Sequence, residues 1–335
     1  HSGGERLEIG TVFNIIKKLV ISGPSGLGGT IAALLARRGA CQITVVDRPG
    51  HHIDAIRSDG LCLEGRETFT ARINATEHAK TIRECDALIF AVKAQDTQTA
   101  IAHTRHIQVH DFVASLQNGV IKEGLLAGTF GKAKVLGALA VIAGECSQPG
   151  VVNWTYDGGT QFGELEGQLS ARVEWIVDLF QQSGLVARSS DAIVSAIWSK
   201  TVGWVPLGLL ATLSRQGNAA VFSNRRLATE YVGMVRELGA LAASKGISLI
   251  DLGPYPVNTW NEGSVKNAVK HLMTSPLAKS QTIHSALQDI QQGSKTEYSA
   301  CVGPMIEDAN KTSVPMRAVQ VLYAALMGLE QTMAT

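Results

Sequence analysis

Five apolar runs separated by helical patterns occupy the first 145 residues of the chain, and this alternation restricts the possible folds more than any other feature. The runs cover residues 18–22, 43–47, 87–92, 112–117 and 134–142. Most of them are continuously apolar, as strands are when helices cover both faces of a parallel sheet. The alternation predicts an α/β fold with a doubly wound sheet.

The first strand leads into a glycine-rich turn and a helix, in the stretch LVISGPSGLGGTIAALLARRG at residues 19–39. A dinucleotide-binding turn has the pattern Gly-x-Gly-x-x-Gly, and its second glycine position is a serine here. Serine is small, and its hydroxyl can donate to a phosphate oxygen while free amides at the helix start form the anion site. The residues expected to bind a nicotinamide dinucleotide are Gly23, Ser25, Gly26, Leu27 and Gly28.

The end of the second strand carries two residues that favour different cofactors. Asp47, 24 residues after Gly23, is placed to bind the ribose hydroxyls of NAD and to repel the 2′-phosphate of NADP. Arg48 beside it can pair with that phosphate. Lys93 and Asn118 follow the third and fourth strands, at the sheet edge where ligands of such folds bind, and both are expected to face the cofactor. NADPH is the slightly favoured cofactor, and NADH is the alternative.

Two shorter segments, GVVNWTYDG and TQFGELEG, follow the fifth strand. Asp157, Gly158 and Gly159 lie at their junction and have the composition of a tight turn. The sequence therefore predicts a β-hairpin that reverses at these three residues.

Helical periodicity replaces the strand–helix alternation after about residue 190. Long helices are predicted over residues 191–213, 224–245 and 284–291, with a last helix after Pro315 to about residue 332. The chain is therefore expected to divide into a Rossmann-type dinucleotide-binding domain over residues 18–190 and an all-helical domain over residues 191–332. The helical domain is expected to supply substrate contacts and, through its apolar faces, the contact of a homodimer.

Charge and composition exclude several classes of partner. The chain has 30 basic and 29 acidic residues and no basic block, so a nucleic-acid or membrane-surface partner is not expected. The longest apolar run, at residues 202–213, is interrupted by glycine and is too short to cross a bilayer. A small-molecule partner is expected instead.

Cysteine and histidine usage indicates neither a disulfide framework nor a metal site. The five cysteines form no CxxC pair, which is typical of a protein of the reducing cytoplasm. His103, His106 and His110 have the spacing of helical metal ligands, but no cysteine or suitably placed carboxylate completes the set. We expect a cytoplasmic protein without a bound metal.

Motifs along almost the whole chain resemble those of the ketopantoate reductase (2-dehydropantoate 2-reductase) family. They are GPSGLG, AVKAQ, QNGVIKE, QPGVV, FGELEG, AIWSK and SALQDIQQGSKTE, in the family's order. The resemblance implies a Rossmann domain, an all-helical C-terminal domain, and NADPH-dependent reduction of the keto group of 2-dehydropantoate or another 2-oxo acid, a step of pantothenate biosynthesis in the family's usual case. It also implies that Lys200 is the catalytic lysine, Asn118 the active-site asparagine, and Ser285 and Glu297 the substrate-binding serine and glutamate.

The chemistry of ketone reduction suits a lysine at position 200. Negative charge develops on the ketone oxygen, and an ammonium group within hydrogen-bond reach stabilises it and donates the proton. Lys200 is the only charged residue between Asp191 and Arg215. Glu297 is expected to bind a substrate hydroxyl or to position Lys200. The alternative is a lysine whose stem merely covers apolar surface.

Two positions depart from the family pattern. Members of the family typically place asparagines four and eight residues after the catalytic lysine, and this chain has Trp204 and Gly208 there. Loss of both amides disfavours a compact hydroxylated substrate. Tryptophan adds an apolar wall and glycine is expected to open space, so an apolar or aromatic 2-oxo acid or ketone is predicted. The alternative is that Trp204 packs in the core between the domains and contacts no ligand.

Two other functions stay open at this point. One is a non-catalytic NAD(P)-binding sensor, which the missing asparagines suit but for which a buried ammonium has little use. The other is a dehydrogenase of the 6-phosphogluconate or 3-hydroxyacid type, whose phosphorylated substrate calls for more basic residues than the region between Lys200 and Arg215 contains.

Overall fold

The computed structural model describes residues 17–253 and 255–333. Ten strands belong to the first part of the chain: β1 Lys18–Ser22, β2 Gln42–Val46, β3 Leu61–Gly65, β4 Phe69–Ala71, β5 Asn74–Thr76, β6 Glu84–Phe90, β7 Gln108–Ser115, β8 Val135–Gln148, β9 Val151–Glu164 and β10 Ala187–Ser189. Five helices accompany them: α1 Gly26–Arg38, α2 His51–Asp59, α3 Thr97–Thr104, α4 Lys122–Phe130 and α5 Ala171–Gln182.

The rest of the described chain is helical. Its helices are α6 Ile193–Ser214, α7 Asn218–Ser223, α8 Arg225–Ser244, α9 Val257–Asn261, α10 Val265–Thr274, α11 Ser285–Gln291, α12 Tyr298–Cys301, α13 Gly303–Thr312 and α14 Arg317–Met333. The four helices predicted from periodicity correspond to α6, α8, α11 and α14 and are confirmed. β10 ends at Ser189 and α6 begins at Ile193, on either side of the predicted domain boundary, which stays a prediction.

The ten strands form one mixed sheet. Six of them run parallel in the order β5-β2-β1-β6-β7-β8, which is the strand order of the doubly wound dinucleotide-binding fold. β9 then pairs antiparallel with β8, β3 and β10 pair parallel with β9, and β4 pairs antiparallel with β3. The predicted doubly wound sheet is confirmed, and it is extended by strands that the apolar runs did not indicate.

Helices cover both faces of the parallel strands. In β1, Leu19 and Ile21 pack in the same cluster as Leu34 of α1, whereas Val20 packs in a second cluster with Ile101 of α3 and with α4. Because successive side chains of a strand point to opposite faces, both sets must be apolar. This accounts for the continuously apolar runs in the sequence.

The predicted reversal at Asp157 to Gly159 is wrong. β9 runs without interruption alongside β8, and the chain reverses at residues 149 and 150. The strand register slips by one residue near Gly158 and Gly159, and Gly159 has a φ of 95°. The Asp157 carboxylate accepts the N–H groups of Gly159 and Val186, both at 3.0 Å. The turn-forming residues therefore form a β-bulge instead of a hairpin turn.

Helix α6 is the central helix of the second part of the chain and packs against α8, α11 and α14. It has 22 residues and a mean hydropathy of 1.4 in its most apolar window, so it is long and apolar enough to cross a membrane by those two measures alone. The apolar segment is thus longer than the run predicted at residues 202–213. Because 78% of that window is buried inside the protein, α6 is a core helix, and its apolar composition serves packing.

Candidate active site

The glycine-rich turn after β1 requires its first and third glycines. Gly23 has a φ of 91°, its N–H donates to the carbonyl of Val46 at 2.9 Å, and a Cβ atom there would lie 2.7 Å from the backbone nitrogen of Val92. A Cβ atom at Gly28 would lie 2.0 Å from the carbonyl oxygen of Gly23. Any larger residue at either position would open the turn. The two glycines therefore hold the helix start against the sheet as a dinucleotide-binding turn needs.

Ser25, at the second glycine position, precedes the first helical residue and makes no capping bond with its side chain. It is exposed, so its hydroxyl is available to a ligand. Gly26, Leu27 and Gly28 supply the first N–H groups of α1, which have no partner within the helix. These amides can form the anion site expected for a pyrophosphate.

A cavity of about 350 Å³ opens at the carboxyl edge of β1, β2 and β6. Its lining includes Gly23, Ser25, Asp47, Arg48, Lys93 and His52. The cavity thus joins the turn, the end of β2 and the end of β6, which is the place where open α/β sheets bind dinucleotides. These residues fit the predicted nicotinamide cofactor.

Asp47 and Arg48 both line this cavity, so the structure does not separate the two cofactors. The Asp47 carboxylate accepts the N–H of Arg48 at 2.9 Å, and burial raises the pKa of this carboxyl group. The Arg48 residue is exposed. The partly buried Asp47 carboxylate can accept hydrogen bonds from the ribose hydroxyls of NADH. The exposed Arg48 guanidinium group can bind the 2′-phosphate of NADPH.

Lys200, Asn118 and Glu297 form one hydrogen-bonded chain, although they come from α6, the end of β7 and the start of α12. Lys200 Nζ donates to Asn118 Oδ1 at 2.9 Å, and Asn118 Nδ2 donates to Glu297 Oε2 at 3.2 Å. The other Glu297 oxygen accepts the N–H of Ala94 at 2.8 Å. Because a carboxylate only accepts and an ammonium only donates, this chain fixes the orientation of the Asn118 amide. Glu297 is therefore linked to Lys200 through Asn118 and does not contact it directly.

The environment of Lys200 favours release of its proton. The second N–H of Lys200 donates to the carbonyl of Ala140 at 2.6 Å. Burial, followed by the positive charge of Lys122, lowers the pKa of Lys200 to about 8, against the smaller opposing effects of Glu297 and Cys301. A pKa near the ambient pH is the value that suits general acid catalysis.

Lys93 links the two parts of the chain as well as lining the cavity. Its ammonium group binds both carboxylate oxygens of Asp289 in α11, at 2.9 and 3.0 Å. Burial raises the pKa of the Asp289 carboxyl group, and Lys93 opposes that effect. The next residue, Ala94, bonds Glu297, so the wall of the cavity adjoins the chain that holds Lys200.

Ser285 is the first residue of α11 and is partly exposed. Its side chain has no hydrogen bond within residues 17–253 and 255–333, so the hydroxyl is available for a substrate group. The preceding residue, His284, caps the helix by accepting the N–H of Ala286 at its Nδ1 atom. Burial lowers the pKa of His284 to about 4, so its imidazole is neutral at physiological pH.

Trp204 lies in an aromatic cluster that fills the space expected beside Gly208. Its ring centroid is 4.8 Å from that of Tyr298 and 5.2 Å from that of His284. A Cβ atom at Gly208 would lie 1.9 Å from the Tyr298 hydroxyl oxygen and 2.4 Å from His284 Cε1. The expectation that glycine opens space for the substrate is therefore wrong, because the neighbouring side chains occupy that volume. Trp204 packs against the helical core but is only partly buried.

Several residues of this site were missed by sequence reasoning. They are Lys122, Asp289, His284 and Tyr298. The first two lie inside the quoted motifs QNGVIKE and SALQDIQQGSKTE, so charged residues within those motifs were the available signal. Nothing in the pattern marked the two aromatic residues, because their role depends on packing against α6.

No group of three or more potential metal-binding side chains occurs within residues 17–253 and 255–333. His106 Nε2 lies 3.0 Å from the carbonyl of Ala79, and His110 Nε2 lies 3.2 Å from Glu84. These two histidines are therefore engaged with separate partners.

Comparisons with known proteins agree with this architecture. The family described as ketopantoate reductase PanE/ApbA matches residues 19–167, and its C-terminal domain matches residues 192–330. The 2-dehydropantoate 2-reductase of Pyrococcus abyssi (strain GE5 / Orsay) is 26% identical over 314 residues, which cover 93% of this chain and 98% of that protein. The 2-dehydropantoate 2-reductase of Mesorhizobium japonicum is 26% identical over an alignment 334 residues long, which covers 93% of this chain and 97% of that protein.

Solved structures share the fold. A PanE/ApbA family ketopantoate reductase from Ralstonia eutropha JMP134 superposes with a TM-score of 0.80 at 22% identity, over 95% of this chain and 100% of that chain. A ternary structure of D-mandelate dehydrogenase with NADH and anilino(oxo)acetate superposes with a TM-score of 0.81 at 19% identity, over 95% and 100% of the two chains. The two matched sequence domains together span most of the chain, and the chain therefore belongs to the ketopantoate reductase PanE/ApbA family of oxidoreductases.

Proposed function

We propose that the protein reduces the keto group of a 2-oxo acid with NAD(P)H and that Lys200 is the proton donor. The observation that carries this proposal is the hydrogen bonding of the Lys200 ammonium group. It has three N–H donors, of which two bind Asn118 and Ala140, and the third has no acceptor among the described residues. A fixed ammonium with one free donor is what a developing alkoxide needs.

The residues of the site have separate roles in the proposed reduction. The cofactor, when bound, supplies a hydride to the carbonyl carbon. Lys200 donates a hydrogen bond to the ketone oxygen and transfers its proton to that oxygen as negative charge develops. Glu297 and Asn118 keep the ammonium group oriented, and the free hydroxyl of Ser285 is available to the substrate carboxylate. The turn residues Gly23 to Gly28, with Lys93, hold the dinucleotide at the adjoining cavity.

The relatives support both cofactors and a range of 2-oxo acids. Several curated relatives are named 2-dehydropantoate 2-reductases, which favours NADPH and ketopantoate. The D-mandelate dehydrogenase structure contains NADH and anilino(oxo)acetate, which carries an aryl group next to an oxoacetate unit. We propose NADPH as the preferred cofactor, with NADH as a usable alternative.

The aromatic cluster at Trp204 supports an apolar or aromatic substrate over ketopantoate. Trp204 stands where the family has a substrate-binding asparagine, and Tyr298 and His284 fill the position of the second asparagine. A hydroxylated substrate would lose two amide partners there, and hydrogen-bonding sites discriminate strongly against such mismatches.

A screen of 2-oxo acids tests this function directly. Oxidation of NADPH and NADH would be followed spectrophotometrically with ketopantoate, aliphatic 2-oxo acids and phenylglyoxylate. We expect kcat/KM for phenylglyoxylate to exceed that for ketopantoate by a factor of about 10 or more, because the site lacks the two amides that would pair with a substrate hydroxyl. Equal or reversed values would contradict the substrate proposal. Cofactor binding without turnover of any compound would favour a sensor.

Alanine substitutions of the two residues after β2 are expected to change the KM for NADPH and the KM for NADH independently. Arg48→Ala should raise the KM for NADPH by a factor of about 10 to 100 and leave that for NADH unchanged, because it removes a charge-assisted contact to the 2′-phosphate. Asp47→Ala should raise the KM for NADH and not that for NADPH. Arg38→Ala, an exposed arginine at the end of α1, is the control and should change neither. An equal loss for both cofactors in Arg48→Ala would exclude the phosphate contact.

A cytoplasmic location, a homodimer, and the lack of nucleic-acid and membrane partners stay predictions from composition and periodicity. The five cysteines are all free in the structure, which is compatible with a reducing compartment.

A further inference from the structure

Strand β8 has an edge beside the active site at which two lysines are held. β8 pairs with β7 only over its first two residues, and no strand among the described residues pairs with it further along on that side. Lys200 Nζ donates to the carbonyl of Ala140 at 2.6 Å, and Lys122 Nζ donates to the carbonyl of Ala138 at 2.8 Å. Carbonyl groups two residues apart on a strand point in the same direction, about 7 Å apart. One ammonium from α6 and one from α4 therefore bind successive carbonyls on the same side of β8.

Lys122 is enclosed more completely than an ordinary lysine. Its side chain is 4% exposed, and it forms an ion pair with Glu123, whose side chain is 12% exposed. Enclosing an ion pair carries a desolvation cost that a surface lysine would avoid. The cost is explained if the position of this charge matters to a neighbouring group.

The charges around Lys200 indicate that Lys200 is the neighbouring group on which the Lys122 charge acts. Glu297 and Cys301 act to raise the pKa of Lys200, whereas burial and then Lys122 lower it. His284 also lies near Lys200, but burial keeps its imidazole neutral. Lys122 is therefore the one charge among these groups that opposes protonation of Lys200.

We propose that Lys122 is a positioning residue for the proton donor: its enclosed positive charge, fixed at the adjacent carbonyl of β8, promotes departure of the proton from Lys200. The inference rests on the proposed reductase function, because it concerns the proton donor of that reaction. The N–H bond of Lys200 breaks as the O–H bond of the product alcohol forms. Lys122 takes no part in making or breaking bonds.

The pH profile of kcat/KM tests this role, since a merely structural lysine would not move it. Lys122→Met is expected to shift the alkaline limb of the reduction to higher pH by about 1 unit, because a like charge near Lys200 is removed. Lys122→Arg keeps the charge and should leave the limb near its wild-type position. Lys132→Met removes an exposed lysine whose side chain is 68% exposed and should have no effect. An unmoved limb in Lys122→Met would overturn the proposal.

A second variant and a second measurement keep the test decisive. Lys122→Met alone leaves Glu123 enclosed without a partner, so Lys122→Met/Glu123→Gln removes both charges and should show the same upward shift. Competitive acetylation with acetic anhydride, followed by peptide mass spectrometry, measures titration of the Lys200 amine without any substrate. If no 2-oxo acid is reduced but the acetylation midpoint rises in the variants, the proposed function fails and the influence of Lys122 stands. A midpoint that does not rise refutes that influence whatever the activity.

Discussion

Replacing Lys200 with alanine is expected to lower kcat for reduction by a factor of about 10² to 10⁴, the range for loss of a general acid that also stabilises an oxyanion. Asn118 and Ala140 hold two N–H groups of the ammonium, and the third has no acceptor among the described residues, so the truncation removes the proposed donor. Cofactor affinity, measured by fluorescence titration, should change little, because Lys200 does not line the dinucleotide cavity.

Two further variants test whether the loss of kcat is specific to position 200 and to its ability to release a proton. Lys266→Ala removes an exposed lysine of α10 and should leave kcat unchanged. Lys200→Arg keeps the charge, but a guanidinium group holds its proton too strongly to act as an acid, so most of the activity should still be lost. Activity of Lys200→Ala within about threefold of wild type would exclude Lys200 as the donor, since a general acid is worth far more.

The pH dependence of the wild-type enzyme is an independent test of Lys200 as the proton donor. With Lys200 as the proposed proton donor, reduction needs its protonated form, so kcat/KM should be constant at low pH and fall as pH rises through the pKa of about 8. Oxidation of the product alcohol needs the neutral amine, so its rate should rise through the same pKa. Both limbs should be absent from Lys200→Ala. A decline of the reduction rate only above pH 10 would mean that burial and Lys122 do not lower the pKa of Lys200.

The fold was largely predictable because its strong determinants are local in sequence. The apolar runs predicted the parallel strands, and Gly23 and Gly28 predicted the turn that their close backbone contacts require. The reversal after β8 was misassigned because Asp157, Gly158 and Gly159 can form a β-bulge as well as a tight turn. Which of the two forms depends on pairing with β8 and on the contact to Val186, and neither is encoded locally.

The candidate site was predictable as a set of residues but not as a network. Motifs indicated Lys200, Asn118 and Glu297, and the structure brings the three together. The order in which they are bonded, with Asn118 between the two charges, depends on how α6 and α12 meet the end of β7. Lys122 belongs to the motif QNGVIKE, but the motif does not show that its side chain is buried, because that burial arises only when α4 packs along β8.

Gly208 illustrates how a departure from the family pattern was detected but misinterpreted. Sequence alone shows a missing side chain and suggests empty space. In the structure, Tyr298 is fully buried, and its hydroxyl hydrogen is shared between the carbonyls of Trp204 and Val205, at 3.2 and 3.0 Å. The volume is therefore filled from a distant part of the sequence, and the tyrosine hydroxyl is anchored where a Cβ atom at position 208 would lie.

Gly208→Ala is accordingly expected to destabilise the protein by about 2 to 3 kcal/mol, which is typical of overpacking a buried site whose neighbours cannot move. Thermal unfolding followed by circular dichroism measures the effect. Gly233→Ala is the matched control, because Gly233 lies within α8 with no atom near its missing Cβ. Alanine there should stabilise the protein by about 0.5 to 1 kcal/mol through its higher helix propensity.

A double-mutant cycle tests whether the Tyr298 hydroxyl is the cause. In a Tyr298→Phe background the oxygen 1.9 Å from the new Cβ atom is gone, so Gly208→Ala should cost less than in the wild type, although His284 still limits the space. An equal cost in both backgrounds would show that the contact does not govern the stability. If the coupling is found, asparagine at position 208 cannot restore a ketopantoate site alone, because Tyr298 and His284 would have to change with it.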